Sequence, residues 1–367
     1  MASISSVDAR RLVTKELIDV YRETAIPTSL LSSFFIPRES NSRVVSVEVE
    51  RDSENIAVDV IRGTEGNRNT IDRFTERVIE PPYYREYFDV TQLYFYDQLF
   101  GRGDMEVDGM TFATWMEEMS RRIMKLQMKI QRSIEKQASE VLQTGIVLLN
   151  KGTNIDFKRK ATSLVNLQAG NYWDETGVDP IPSIEAGCNF LRQEGKAMGG
   201  DFIMILGQKA QRSLLANQAF KELADYRRTP LVQLSIPQRI SDAIGGAFHG
   251  QFSAGSYNIM LWTYPQFYDN AAGASIPYVN DRNMILLPMN PRFRLSYAAV
   301  PRILRDTRNA EFPELMTGTG IGFERGRYVI GNYIEERTET HVFDVKSAPI
   351  CIPTAVDQIY TGIVTTA

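Results

Sequence analysis

Between Thr111 and Thr144 the chain reads TFATWMEEMSRRIMKLQMKIQRSIEKQASEVLQT, with Phe112, Met116, Met119, Ile123, Leu126, Ile130, Ile134, Ala138 and Val141 recurring every three or four residues. That interval matches the 3.6-residue turn of an α-helix and lines one face with apolar side chains. Arg121, Arg122, Lys125, Lys129, Arg132, Lys136 and Glu140 occupy the other side, where they stay in water or meet a partner. Thr114 followed by Glu117 reads as a capping box near the start, and Gly145 as the stop. About 34 residues at about 1.5 Å each give a rod on the order of 50 Å. Few compact enzyme domains contain such an element, so the rest of the chain is expected to hang from it as from a spine. Met116, Met119, Ile123, Leu126, Ile130 and Ile134 are its expected core.

The segments before the spine look unable to bury themselves. A modest amphipathic stretch from Val7 to Tyr21 leads to LLSSFFI at Leu30 to Ile36, bounded by Pro27 and Pro37. Phe34, Phe35 and Ile36 are expected to dock on the body or on a neighbouring subunit, which makes residues 1–43 an arm. Val45, Val47 and Val49 alternate with Ser46, Glu48 and Glu50, and Ile56, Val58 and Val60 with Ala57 and Asp59, a hairpin signal. The charged run GTEGNRNTIDRFTER from Gly63 to Arg77 then precedes an extended stretch returning from about Thr75 to Val90. Residues 44–92 therefore read as a long projecting loop. Its alternating charges, Glu65, Arg68, Asp72, Arg73, Glu76 and Arg77, are candidates for meeting complementary charges on an adjacent subunit.

After the spine, a short hairpin is expected around Gly152, then an amphipathic helix from about Ser183 to Met198 with Ile184, Cys188, Leu191 and Ala197 inward. A buried strand follows at Asp201 to Leu206, then a helix from Gln208 to Tyr226. Further strands are expected at Tyr257 to Tyr264, Met284 to Leu287, Tyr328 to Ile334, His341 to Val345 and Ile359 to Val364. Helices and antiparallel-looking strands occupy separate stretches, which is an α+β pattern.

Composition removes several function classes. The net charge of -4 argues against a surface built wholly for nucleic acid. No apolar run reaches membrane-spanning length, and MASISSVDARRLVTKEL lacks the apolar centre of a secretory signal, so neither export nor a membrane is expected. Two histidines, His249 in a glycine-rich stretch and His341 in a strand-like one, leave little for acid-base or metal work. Cys188 and Cys351 read as buried thiols. Asp104 to Gly109 has the alternating carboxylates of a calcium loop, but Trp115 stands where the bidentate glutamate belongs. Gly318, Gly320 and Gly322 lack the strand and helix a phosphate loop needs. Tyr226, Arg227 and Arg228 read as an exposed helix end rather than a nucleic-acid contact. No catalytic, cofactor-binding or metal site is expected, and an enzyme is the weakest of the readings.

The order of arm, projecting loop, spine and helix-strand-helix block resembles the major capsid proteins of tailed bacteriophages. More specifically, the chain resembles the lambda-like phage major capsid protein E family over nearly its whole length. The resemblance is carried by LLSSFF, the spine sequence, Tyr172-Trp173-Asp174 leading into DPIPSIEAGCNFL, DFIMILGQKAQRSLLANQAFKELADYRR, IPYVNDRNMILLP and the closing KSAPICIPTAVDQIYTGIV. It implies a Hong Kong 97-type capsid fold with the arm at 1–43 and an extended loop at 44–92. A peripheral domain at 93–179 and 336–367 would contain the spine at 111–144, and an axial domain would span 180–335. It also implies a procapsid-forming subunit that joins copies of itself as hexamers and pentamers into an icosahedral head around double-stranded DNA, assembled in the host bacterial cytoplasm. Scaffold and portal proteins, and a decoration protein, are the further partners it implies. The alternative is the shell protein of an encapsulin-like bacterial nanocompartment, which would form small, DNA-free shells with a groove for a cargo peptide.

Overall fold

The computed structural model of the protein describes residues 27–49, 75–90, 110–149, 153–224, 232–239, 244–270, 272–291, 293–304, 320–335 and 340–366. The chain divides into two compact units, of which the smaller gathers Met1–Pro27, Arg85–Ile130 and Ile330–Lys346, and the larger the remainder. The carboxylate-bearing stretch at 104–109, the expected strand at Ile56–Val60 and the Tyr226–Arg228 helix end lie outside the described residues.

The spine is a single helix, α1, over Met110–Gln143. It begins at Met110, four residues before Thr114, so the start lies upstream of the expected capping box. The stop is at Gly145, whose φ of +75° turns the chain out of the helix while its N–H donates to the carbonyls of Glu140 and Val141 at 3.2 and 3.0 Å. A short hairpin, Ile146–Val147 with Ile155–Asp156, follows. Arg159 then folds back on the end of α1. Its guanidinium donates to the carbonyls of Leu142, Ser163 and Ile359 at 3.0, 3.2 and 3.0 Å and to the Thr361 hydroxyl. Burial lowers its pKa to about 10, which leaves it protonated at neutral pH.

The larger unit is organised by a seven-stranded mixed sheet in the order Leu164–Asn166, Tyr360–Ile363, Asn283–Pro288, Asp201–Leu206, Tyr257–Thr263, Ala247–Ala254 and Val232–Arg239. Asp201–Leu206 runs antiparallel to Asn283–Pro288 and parallel to Tyr257–Thr263. Its five apolar residues are buried on both faces, which is why the sequence shows a continuous apolar run there and no alternation. Helix α2 (Ile181–Gln193) starts where Asp179 accepts the Ile181 N–H, with Pro182 in the first turn, where it forfeits no helical hydrogen bond. Ile184, Cys188 and Leu191 face Met204, Leu261, Leu286 and Tyr360 in one core, which also takes Trp173 and Phe252.

The single helix expected from Gln208 to Tyr226 is two, α3 (Gln208–Ala216) and α4 (Gln218–Ala224). Asn217 divides them: its backbone is extended, its side-chain oxygen accepts the Ala219 N–H at 3.0 Å, and its amide donates to the Val178 carbonyl at 2.7 Å. A side chain that caps a helix start competes with helix continuation.

In the smaller unit, Val329–Glu335, Thr340–Ser347 and Tyr84–Val90 form a three-stranded sheet in that order. Phe88, Val90 and Phe343 pack with Met119 and Ile123 of α1. Asp344, almost fully buried, takes Arg85 at 2.9 Å and Lys346 at 3.0 Å.

Candidate assembly surfaces

The sequence singled out two projections, and the structure describes the root of each. At the arm root, Leu30, Leu31 and Phe35 are buried within their own chain. Phe35 packs on Phe293, with ring centroids 5.3 Å apart. Phe35–Glu39 joins a three-stranded sheet, parallel to Phe293–Tyr297, whose other neighbour is Pro349–Ile352. The ladder continues as Ser40 donates to the Tyr297 carbonyl and Ala299 to that of Ser42. Each fully buried leucine or phenylalanine contributes roughly 1.5–3 kcal/mol, so this root is a part of the body. Phe34 is half-buried, and Ile36, 65% exposed, is the member of the expected apolar trio that faces solvent.

The most unusual group at this root is one that the sequence reading passed over. Glu135 of α1 is 0% exposed and its carboxylate accepts the Leu31 N–H at 2.7 Å and the Ser32 N–H at 2.9 Å. The Tyr264 hydroxyl reaches the same carboxylate and also shares a 2.5 Å hydrogen bond with the Thr28 hydroxyl. Burial raises the Glu135 pKa, and the hydrogen bonds from the arm root and Tyr264 oppose that rise. A charge on a helix is read by default as facing water. The available signal was the loss of charge over Gln137-Ala138-Ser139, where Gln137, Ala138 and Ser139 are all buried and α1 is enclosed on more than one face.

At the root of the projecting loop, Val45–Val49 pairs with the returning strand Thr75–Ile79, antiparallel, with Val45 opposite Ile79. Pro81 and Pro82 separate this strand from Tyr84–Val90, so the return is two strands and not one. Arg43 and Glu80 form an exposed ion pair at 2.6 Å across the root, and Val78 is 60% exposed. Of the charged candidates, Glu65, Arg68, Asp72 and Arg73 lie outside the described residues. Glu76 and Arg77 stand in register with Glu48 and Val47.

Along the spine, Met119, Ile130 and Ile134 are buried, while Ile123 and Leu126 are half-buried. Met116 lies in the helix. His249 is on the strand Ala247–Ala254, beside a register shift between Phe248 and Gly250, and not in a loop. Its ring lies 2.7 Å from the Thr263 hydroxyl, and burial lowers its pKa. His341 stacks on Phe343 at 4.3 Å. Gly320 and Gly322 belong to a strand paired with Val300–Leu304. Among the described residues no cluster of His, Cys, Asp or Glu could hold a metal ion, and no helix is long and apolar enough to cross a membrane.

A family profile described as Phage major capsid protein E matches residues 14–364. A solved structure assigned as the capsid protein of a prophage of Escherichia coli CFT073 is similar over 100% of both chains, with 16% identity and a TM-score of 0.57. A capsid structure of cyanophage P-SCSP1u is similar at 9% identity and a TM-score of 0.49 over 96% of this chain and 94% of that one. An encapsulin complex of Synechococcus elongatus PCC 7942 is similar at 11% identity and a TM-score of 0.43, over 99% and 96%. No curated protein matches the sequence.

Proposed function

The chain belongs to the phage major capsid protein E family, and from that premise we propose that its arm and projecting loop are the segments through which copies of it close into a head around double-stranded DNA. It is a major capsid protein with the α+β fold of Hong Kong 97-type subunits. The family match over nearly the whole chain carries the reading. The role is structural, and no catalytic step is assigned to any residue.

In this proposal residues 1–43 are the arm, 44–92 the extended loop, 93–179 and 336–367 the peripheral domain, and 180–335 the axial domain. Hexamers and pentamers form by heterologous contacts whose rotation closes into rings. Ile36 and Val78, exposed at the two roots, supply apolar area for a neighbour, and Glu65, Arg68, Asp72, Arg73, Glu76 and Arg77 supply paired charges. Scaffold, portal and decoration proteins are the further partners proposed, with assembly in the bacterial cytoplasm.

Because Leu30, Leu31 and Phe35 complete the body of their own subunit, the informative truncation stops before them. The protein lacking residues 1–26 is expected to keep the melting profile of the unassembled full-length subunit and to form no closed shells by electron microscopy. Normal shells from the truncated protein would overturn the arm's role. Small, uniform, DNA-free shells made by the full-length protein in the absence of any phage partner would favour a nanocompartment.

A further inference from the structure

Glu135 presents a combination that burial alone does not explain. Its carboxylate is wholly enclosed, and among the described residues it has no ion pair; its charge is met by the Ser32 hydroxyl, by two backbone N–H groups 104 and 103 positions away in sequence and by a phenol. A buried carboxylate without a cation is costly, and an apolar side chain of similar volume is often at least as stabilising. Buried ionic groups are best attested where they fix a register or a switch. Both oxygens here are used on adjacent residues, Leu31 and Ser32, at the first described turn of the arm, and a glutamine of the same length would offer one acceptor oxygen in place of two.

We propose that Glu135 is a positioning residue for assembly: a latch on α1 that holds the arm root at Leu31 and Ser32 and so sets where the arm leaves the subunit. This rests on the reading of the arm as an assembly segment. The titratable groups facing Glu135 are Tyr264 after one sheet strand, Tyr278 in the following turn and Cys351 on the strand Pro349–Ile352, each pushed to higher pKa with burial as the main cause. Arg132, on α1 itself, is the cation acting on Tyr278. With none of the three facing groups ionised at neutral pH, Glu135 is the group in the cluster that titrates.

The sign follows from the direction of its shift. The closed latch raises the Glu135 pKa above the ordinary 4.5, and release into water returns it there. Closing therefore takes up a proton between the two values, so the latch is tightest on the acid side and loosens as pH rises through the raised value. The loss is roughly tenfold in closing equilibrium for each pH unit between the ordinary and raised values.

The test uses hydrogen exchange of the full-length unassembled subunit, comparing wild type with Glu135→Gln and Glu135→Leu, with electron microscopy of each after assembly. Wild-type protection at Leu31 and Ser32 is expected to fall as pH rises. Glu135→Gln, which cannot change charge, is expected to give a flat profile, and Glu135→Leu to lower protection at those two amides by on the order of tenfold through loss of both acceptors. A Glu135→Gln profile parallel to wild type would overturn the latch, and decides the matter even if Glu135→Leu fails to fold. Loosened roots together with normal shells would leave the latch in place but overturn its role in assembly and with it the arm's. Loosened roots with open or misshapen shells support both.

Discussion

Replacing Gly187 by alanine is expected to destabilise the larger unit, although it removes a glycine from a helix interior. Gly187 lies in α2, where alanine would ordinarily contribute about 1 kcal/mol through helix propensity. A Cβ built on this backbone stands 2.7 Å from Leu286 Cδ1 and 2.8 and 2.9 Å from Tyr360 Cε1 and Cδ1. Leu286 and Tyr360 sit on neighbouring strands of the seven-stranded sheet, both buried in the same core, so neither has space to retreat into. Overpacking of a filled core costs about 1–3 kcal/mol, and three sub-contact distances to two pinned partners place this site in the upper part of that range. The net loss is then about 1–2 kcal/mol, equivalent to a melting temperature lower by a few degrees at about 2–4 °C per kcal/mol. Calorimetry of the unassembled subunit measures it. The double variant with Leu286→Ala is expected to lose less than the sum of the two single changes, because the new methyl fills space vacated by the leucine, with a coupling of about 1 kcal/mol. A Gly187→Ala protein that melts higher than wild type would refute the close packing of α2 on the sheet.

Asp344→Ala is expected to lower the stability of the smaller unit by about 2–4 kcal/mol, because Arg85 and Lys346 lose their shared buried acceptor. Hydrogen exchange should quicken at 85–90 and 340–346 and stay unchanged at 201–206; uniform quickening would contradict this. Burial pushes the Cys188 thiol up to about 12 and that of Cys351 well above its ordinary value. At pH 8 neither is expected to react with a thiol reagent in the folded protein, and both should react at once in denaturant; rapid labelling of the native subunit would show that these sites open.

What was legible in the sequence was whatever depends on near neighbours along the chain. The spine shows because its apolar residues satisfy one helical face over many turns, and Gly145 because only a left-handed residue ends the helix there. The strand Asp201–Leu206 shows because burial on both faces leaves an unbroken apolar run. The break at Asn217 was missed because a capping side chain looks like an ordinary polar helix residue until its partner, the Val178 carbonyl, is known. Ala247–Ala254 was missed because His249 and Gly250 sit at a bulge that interrupts its alternation. The arm root was half legible. Its apolar residues announced that they need a cover, but the cover is Phe293, 258 positions away, and the latch is a glutamate on the spine.

The same long separation explains how a shell subunit can be firm and adaptable at once. The core between α2, α3, α4, the seven-stranded sheet and the Trp173 turn has, among the described residues, no buried member from 28–49 or 75–84. The arm root is held instead by one added strand, a few apolar side chains and the Glu135 carboxylate, and the loop root by a two-stranded ribbon with an exposed ion pair. Segments attached by few buried contacts open at lower free energy than the core they hang on. An exposed ion pair contributes about 0–1 kcal/mol, so at the loop root the paired and buried Val45 and Ile79 carry more of the attachment than Arg43 and Glu80 do. Opening at either root leaves the contacts between α2 and the seven-stranded sheet untouched.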